Sequence, residues 1–239
     1  MVGAVGGAGA TRLTLEFAAT VARTGRTVLV VDTAYATQGL ATVTPGQIET
    51  DLTAVLAADR SLEAAVTDLS LDVPGRVSVA PVRAPFERFS RAMTSQCAQR
   101  LAERISRAAG GFDLVLVDVP PVATNPAVAA VTAADRVALV VPDSQRGVDA
   151  LARSRERLAD VDAGLDAVVA NRGDPADPTI ADPDAVVPES EVTALSAAPV
   201  SVAPDPFPAA VQTAVETVLG VDLDLDEPDP TSLADYLPG

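Results

Sequence analysis

Short runs of β-branched and aliphatic residues alternate along this chain with longer stretches whose apolar positions recur at helical spacing. Residues 26–32 (Arg26-Thr27-Val28-Leu29-Val30-Val31-Asp32) and 112–118 (Phe112-Asp113-Leu114-Val115-Leu116-Val117-Asp118) read as buried strands that each end in an acid. Residues 136–141 and 165–170 supply two more strands, and 77–80 a shorter one. Leu13, Leu15, Phe17, Ala18 and Val21 give an apolar face to a helix that ends near Gly25. Further helical patterns fall at 51–57, 61–67, 88–109 and 144–160. Pro120-Pro121 turns the chain directly after the second acid-ended strand. Residues 171–190, rich in Pro, Asp and Gly, read as an extended loop, followed by a short strand at 200–202 and a helix at 207–219.

Buried β-branched strands separated by helices predict a three-layer α/β/α sandwich with a mostly parallel central sheet and a ligand site at the carboxyl edge of the strands. We expect one domain over residues 1–220 and an acidic, flexible tail over 221–239, where Asp, Glu and Pro outnumber large apolar groups. One position is anomalous. Only a few residues precede Gly6, too few for a full first strand, so the expectation is a truncated strand or a start upstream of Met1 that supplies the rest.

Composition narrows the chemistry. Histidine is absent and Cys97 is the one cysteine, which excludes an internal disulfide, an ordinary zinc site and a Cys–His nucleophile. No apolar run is long enough for a membrane span and no leader precedes one, so the expected location is cytoplasmic. All 17 basic residues are arginine, a bias compatible with a GC-rich genome or with life at high salt, as in haloarchaea. Charge is uneven: residues 1–159 hold 16 arginines and 16 acids, whereas 160–239 hold Arg172 and 17 acids. An acidic final third repels nucleic acid and anionic lipid.

The strongest local motif is Val5-Gly6-Gly7-Ala8-Gly9-Ala10-Thr11-Arg12. A glycine loop of this kind curls backbone N–H groups around phosphates and opens a helix whose dipole favours anions. Loop, helix, strand and terminal acid follow in that order through Asp32, and Asp118-Val119-Pro120-Pro121, Asn171-Arg172 and Val187-Pro188-Glu189-Ser190 lie downstream. Together these resemble the ParA/MinD family of deviant Walker-A ATPases, a P-loop NTPase-like fold. The resemblance implies that Gly6, Gly7, Ala8, Gly9, Ala10, Thr11 and Arg12 surround the phosphates, that Asn171, Arg172 and Pro188 meet the base, and that Thr11, Asp32 and Asp118 form a magnesium shell. The implied cofactor is ATP or ADP with Mg2+.

Departures fall on the groups that would carry the reaction. Val5 stands where the family has the signature lysine that reaches a partner subunit's nucleotide, Ala10 where it has the phosphate lysine, Arg12 where it has the second threonine, and Ala34 where it has the second switch acid. Phosphoryl transfer depends on positioned charge, so these losses predict a pseudo-ATPase that binds nucleotide weakly or not at all and acts through a protein partner, a homologous ATPase or a homodimer. The alternatives are an active partition or positioning ATPase with substituted cations, and a DNA-associated protein. The last would use residues 83–107, where Arg83, Arg88, Arg91, Arg100, Arg104 and Arg107 outnumber two acids and the final three share a helix face. Direct DNA binding is disfavoured by the acidic C-terminal field, and membrane recruitment by the repeated acids after Val221. Phe86 and Phe89 are candidates for an interface anchor or for the core.

Overall fold

The computed structural model describes residues 1–199 and 206–225; the strand expected at 200–202 and the end of the acidic tail lie outside them. Eight strands are present among the described residues: β1 (Val2–Gly3), β2 (Thr27–Asp32), β3 (Thr67–Asp68), β4 (Arg76–Ala80), β5 (Leu114–Asp118), β6 (Ala138–Pro142), β7 (Ala167–Asn171) and β8 (Ala185–Val187). They pair in the orders β3-β4-β2-β5 and β1-β6-β7-β8, every pairing parallel except β3 with β4. The two halves meet at β1. Its Gly3 N–H donates to Val119 O at 2.9 Å, the Val119 N–H donates to Met1 O at 2.9 Å, and Ala4 N–H donates across to Val140 O at 2.9 Å. The first strand is thus a stub of two residues, and it occupies the centre of the sheet.

The helices are α1 (Ala10–Ala22), α2 (Leu52–Ala57), α3 (Phe86–Ala92), α4 (Ser95–Ala108), α5 (Asn125–Ala133), α6 (Gln145–Ala159) and α7 (Pro206–Leu219). Side chains alternate across the pleat, so β2 sends Leu29 and Val31 into one core and Val28 and Val30 into the other. The first core is closed by Leu52 and Leu56 of α2, Leu101 and Ile105 of α4, Ala127 and Ala130 of α5, and Leu151 and Leu158 of α6. The second is closed by Leu13 and Phe17 of α1 and by Phe207, Val211 and Val215 of α7. This is a three-layer α/β/α sandwich with a mostly parallel sheet.

Several elements differ from the sequence expectation. The helix expected over 88–109 is two helices, because Thr94 adopts an extended backbone and its hydroxyl accepts from Cys97 N–H at 3.4 Å, capping α4. The 61–67 pattern is a 3-10 turn (Leu62–Ala65) that runs into β3. β8 arises inside the loop expected at 171–190, and α5 inside the segment after Pro121. After α7, Leu223 is buried and its N–H donates to Glu216 Oε1 at 3.3 Å.

Gly147 sets how closely α6 approaches the sheet, since a Cβ there would overlap the Pro142 carbonyl and crowd the Val141 side chain. Gly147→Ala is expected to destabilise the protein by about 2 kcal/mol or more, read as a lowered urea midpoint with an unchanged slope.

Candidate functional site

The glycine loop leaves β1 at the sheet centre, where strand order reverses and a crevice is expected. Gly7 (φ 80°) and Gly9 (φ 92°) hold left-handed conformations that a side chain disfavours. At Gly9 there is also no room, because a Cβ would collide with the Asn171 amide. α1 starts at once with Gly9 as its N-cap and no side-chain cap, which leaves the first amides of the helix for an anion.

The outward-facing carbonyls of the loop are tied to the far half of the sheet. Asn171 Nδ2 donates to Ala8 O at 2.8 Å, and Arg172 Nη2 donates to Gly7 O at 2.9 Å. Arg146, on the first turn of α6, brings Nη2 to 3.5 Å from Gly6 O. Both arginines are exposed, as are Gly6 and Gly7.

Beneath the loop, the two strand-end acids are direct neighbours in the parallel register, Asp32 opposite Asp118. Thr11 Oγ1 donates to Asp118 Oδ2 at 2.6 Å. Thr33 donates to the Asp118 carbonyl through both N–H (2.9 Å) and Oγ1 (2.7 Å). Asp32 Oδ1 accepts from Ala34 N–H at 2.9 Å, but its Oδ2 is buried with no hydrogen-bond partner among the described residues. Burial, reinforced by the charge of Asp118, raises the Asp32 carboxyl from 3.8 to about 8. Burial also raises Asp118, opposed by the Thr11 hydrogen bond and the nearby Met1 ammonium. That ammonium donates to Val117 O at 2.9 Å, and burial lowers it to about 6. Segment Gly39–Thr42 lies over Thr11, where a Cβ at Gly39 would crowd the Thr11 methyl.

This donor set suits a hard divalent cation: one hydroxyl, two carboxylates, one carboxylate oxygen without a partner, and burial that penalises uncompensated negative charge. The residues therefore fit Mg2+. Among the described residues no cluster of three His, Cys, Asp or Glu exists.

On the other side of the loop a cleft of about 270 Å³ is lined by Gly9, Arg12, Leu13, Asn171, Arg172, Pro188, Glu189 and Phe207, among others. The fold thus brings Asn171, Arg172 and Pro188 together, 171 and 188 through the pairing of β7 with β8. Arg12 lines this cleft, and its Nη2 is buried without a hydrogen-bond partner among the described residues. Its Nε meets Glu16 Oε1 at 2.5 Å, its Nη1 donates to Val192 O at 2.8 Å, and its guanidinium lies 5.5 Å from the Phe207 ring centroid. These contacts commit it to the cleft wall, clamping α1 to the 188–193 segment. Ala10 is buried at the start of α1.

The arginine segment is spent largely inside the fold. Arg104 is buried, with Nε donating to Arg60 O at 2.9 Å and Nη2 to Asp59 Oδ1 at 2.8 Å. Arg100 Nη1 donates to Leu56 O at 2.8 Å, and Arg88 pairs with the buried Asp51 at 3.2 Å. Arg100, Arg104 and Arg107 share α4 as expected, but not as a free cationic face: the first two are struts that fasten α4 to the end of α2 and the chain just after it, and the exposed Arg107 has Glu103 at 3.7 Å. Phe86 is 79% exposed and stacks on the half-buried Phe89 at 6.0 Å. Sequence reasoning missed Arg146, whose contact with the loop spans 140 residues and carries no local signal.

A central parallel sheet, a left-handed glycine loop opening a helix, and a hydroxyl–carboxylate pair beneath it define a P-loop nucleoside triphosphatase fold. The model of the AAA_31 family, an AAA domain, matches residues 1–165, and the chain belongs to that family. Similar solved structures include the ATP complex of a McdA variant from Cyanothece, at 20% identity and TM-score 0.73 over 95% of this chain and 97% of that one. The MinC:MinD cell division complex of Aquifex aeolicus gives 20% and 0.71 over 95% and 97%. The septum site-determining protein MinD with Mg-ADP from Pyrococcus horikoshii gives 23% and 0.63 over 79% and 81%. At these identities the likeness concerns the fold. No curated protein matches the chain by sequence.

Two outcomes follow from this geometry. Arg104→Ala should cost about 2–3 kcal/mol in urea unfolding, because it strips a buried guanidinium from Asp59 and the Arg60 carbonyl; a stability within error of the parent would contradict the strut. Because Asp32 binds its proton more tightly folded than unfolded, the native state holds more protons between pH 3.8 and about 8, so stability falls as pH rises through that window. In chelator-treated buffer, Asp32→Asn should flatten that fall and gain about 1–3 kcal/mol at the alkaline end relative to the parent.

Proposed function

We propose that this protein is a ParA/MinD-like pseudo-ATPase: it binds ATP or ADP with Mg2+ and uses the bound state to regulate association with a protein partner, without appreciable turnover. The observation that carries this reading is the division within one site. The cradle is retained in Gly7, Gly9 and the uncapped start of α1, and the metal side in Thr11, Asp118 and Asp32. The positions that would put charge on the reacting phosphate hold Val5 and Ala10, and Ala34 stands where the family places a second switch acid.

When bound, Mg2+ would neutralise phosphate charge and relieve the repulsion between the two buried carboxylates. Thr11 and Asp118 would hold it, with Asp32 close behind. Asn171 and Pro188 would frame the base in the cleft beside Gly9. Arg12, held by Glu16 and Val192, would keep that cleft wall in place. The segment over Thr11 is anchored through Gln38 Nε2 to Ala84 O at 3.2 Å, so a ligand that displaces it would also disturb the surface that carries Phe86. That link gives a bound nucleotide a route to a partner. The solved complex of MinD with MinC supports protein association as an output of this fold.

The direct test is calorimetric titration of the full chain with ATP and ADP, with and without Mg2+, alongside measurement of released phosphate. Saturable, Mg2+-dependent binding with phosphate release no faster than the buffer blank is expected. Sustained release would replace this reading with an active positioning ATPase. Ala10→Lys, which returns one cation to the loop, should tighten ATP binding by about tenfold, the worth of one charge-assisted hydrogen bond.

A further inference from the structure

We propose that residues 35–44 form a latched flap over Thr11, and that the Gln38 side chain is the latch whose release gives a metal-bound phosphate access to the Thr11 hydroxyl. The inference rests on the nucleotide-binding reading above and names the element that controls entry to its metal side.

The flap is a unit in its own hydrogen bonding. Thr37 N–H and Gln38 N–H both donate to Ala34 O at 3.0 Å, Ala41 N–H donates to Gln38 O at 3.2 Å, and Val43 N–H and Thr44 N–H both donate to Leu40 O at 3.2 Å. Hydroxyls close the same circuit: Thr37 Oγ1 donates to Ala34 O at 3.1 Å, Thr42 Oγ1 to Gly39 O at 2.7 Å and Thr44 Oγ1 to Leu40 O at 2.8 Å. Among the described residues, the backbone-to-backbone hydrogen bonds of 35–44 stay within 34–44, so none joins the segment to a strand of the sheet.

Side chains fasten this unit to the body. Gln38 Nε2 donates to Ala84 O at 3.2 Å, Leu40 is fully buried in the second core, and Gly39 packs against Thr11 and Leu195. The far end is free to pivot, since residues 45–47 are exposed and Gly46 has φ 70° with open space around it. The body resumes at the buried Asp51, which caps α2 by accepting from Ala54 N–H at 2.8 Å and also accepts from Arg83 N–H at 2.9 Å. Gln38 holds φ 52°, a left-handed conformation that a non-glycine residue seldom adopts, so the closed position carries strain that opening relieves.

Closed, the flap crowds the metal side. Thr11 Oγ1 is committed to Asp118 Oδ2 at 2.6 Å, and a Cβ at Gly39 would stand 3.6 Å from that same oxygen and 3.1 Å from the Thr11 methyl. A divalent cation carries a full shell of oxygen ligands, and Gly39 takes part of the room that such a shell needs around Thr11. The latch's acceptor, Ala84, lies two residues before the exposed Phe86, so a partner that grips Phe86 acts on the same hydrogen bond from outside.

The test is hydrogen exchange read by mass spectrometry on the full chain in chelator-treated buffer, for the parent, Gln38→Met and Leu40→Ala, followed by stopped-flow mixing with Mg2+ and a fluorescent ATP analogue. Amides of 37–44 should open together and faster than those of β2 and α1. Gln38→Met keeps the side chain's length but removes its donor, and should speed their exchange about fivefold, the worth of one hydrogen bond. Leu40→Ala should speed it by about tenfold or more, with β2 and α1 unchanged. Both variants should raise the association rate of the analogue with Mg2+ by matching factors. Exchange at 37–44 as slow as in β2, or speeded equally in β2 and α1 by Leu40→Ala, would overturn the flap by making it part of the core. Faster exchange without faster association would overturn its control of entry and leave nucleotide binding standing. A parent and variants that bind no nucleotide would overturn both. The Gln38 side chain is half-buried and makes one hydrogen bond, so its variant decides the matter if Leu40→Ala folds poorly.

Discussion

The backbone ladder through β1 is the constraint on which the rest depends. Two residues join two four-stranded halves, with Gly3 and Met1 bonded to Val119 on one side and Ala4 to Val140 on the other. A strand so short contributes little apolar area, yet its peptide groups are the ones that pair β5 with β6 across the middle of the sheet. Unpaired buried peptide groups are costly, so this position tolerates little change of register. The glycine loop departs from the same two residues. Anything that shifts β1 therefore shifts the loop relative to Asp118 on one side and to Asn171 and Arg172 on the other. Architecture and site share a single hinge of backbone.

How much of this could be read from sequence depended on whether the cause was local. β2, β5, β6 and β7 were legible because each is a run of Val, Leu and Ala long enough to be buried on both faces. α6 was legible from its helical pattern; in the structure it is capped by Ser144, whose hydroxyl accepts from Gly147 N–H at 3.3 Å. β8 was not, since its three residues sit in a Pro- and Asp-rich segment and become a strand by pairing with β7. α5 was missed because Asn125–Ala133 is mostly Ala and Val, with little contrast between its faces. The expected 88–109 helix broke at Thr94, where a capping hydroxyl outcompeted helical periodicity.

The site divides the same way. The loop, Asp32, Asp118 and Asn171-Arg172 were visible as motifs, and the sheet brings them to one edge. Charge patterns misled where their partners were distant. Arg100 and Arg104 have the spacing of a phosphate-binding face, but their acceptors are the carbonyls of Leu56 and Arg60 and the carboxylate of Asp59, more than 40 residues away in sequence. Arg146 is the converse case: unremarked in sequence, it touches the loop. A count of arginines could not separate the two, because a guanidinium's role is set by whether the fold has already satisfied its donors.

That distinction also reframes the electrostatics of the site. Removing lysines from a phosphate loop lowers its affinity for anions, but two buried carboxylates beneath the loop act in the same direction, since they repel the phosphate from below. Burial and, at Asp32, the neighbouring Asp118 charge push both carboxyls toward their neutral forms, which lessens that repulsion. On the proposed reading, a dication at this place would compete with the carboxyl proton. A bound dication would favour the charged forms of both carboxylates and would replace the repulsion under the loop with attraction for phosphate. If nucleotide binds as proposed, its affinity would therefore be linked to metal more tightly here than in a loop that carries its own lysine, for the metal would supply charge that a side chain ordinarily provides.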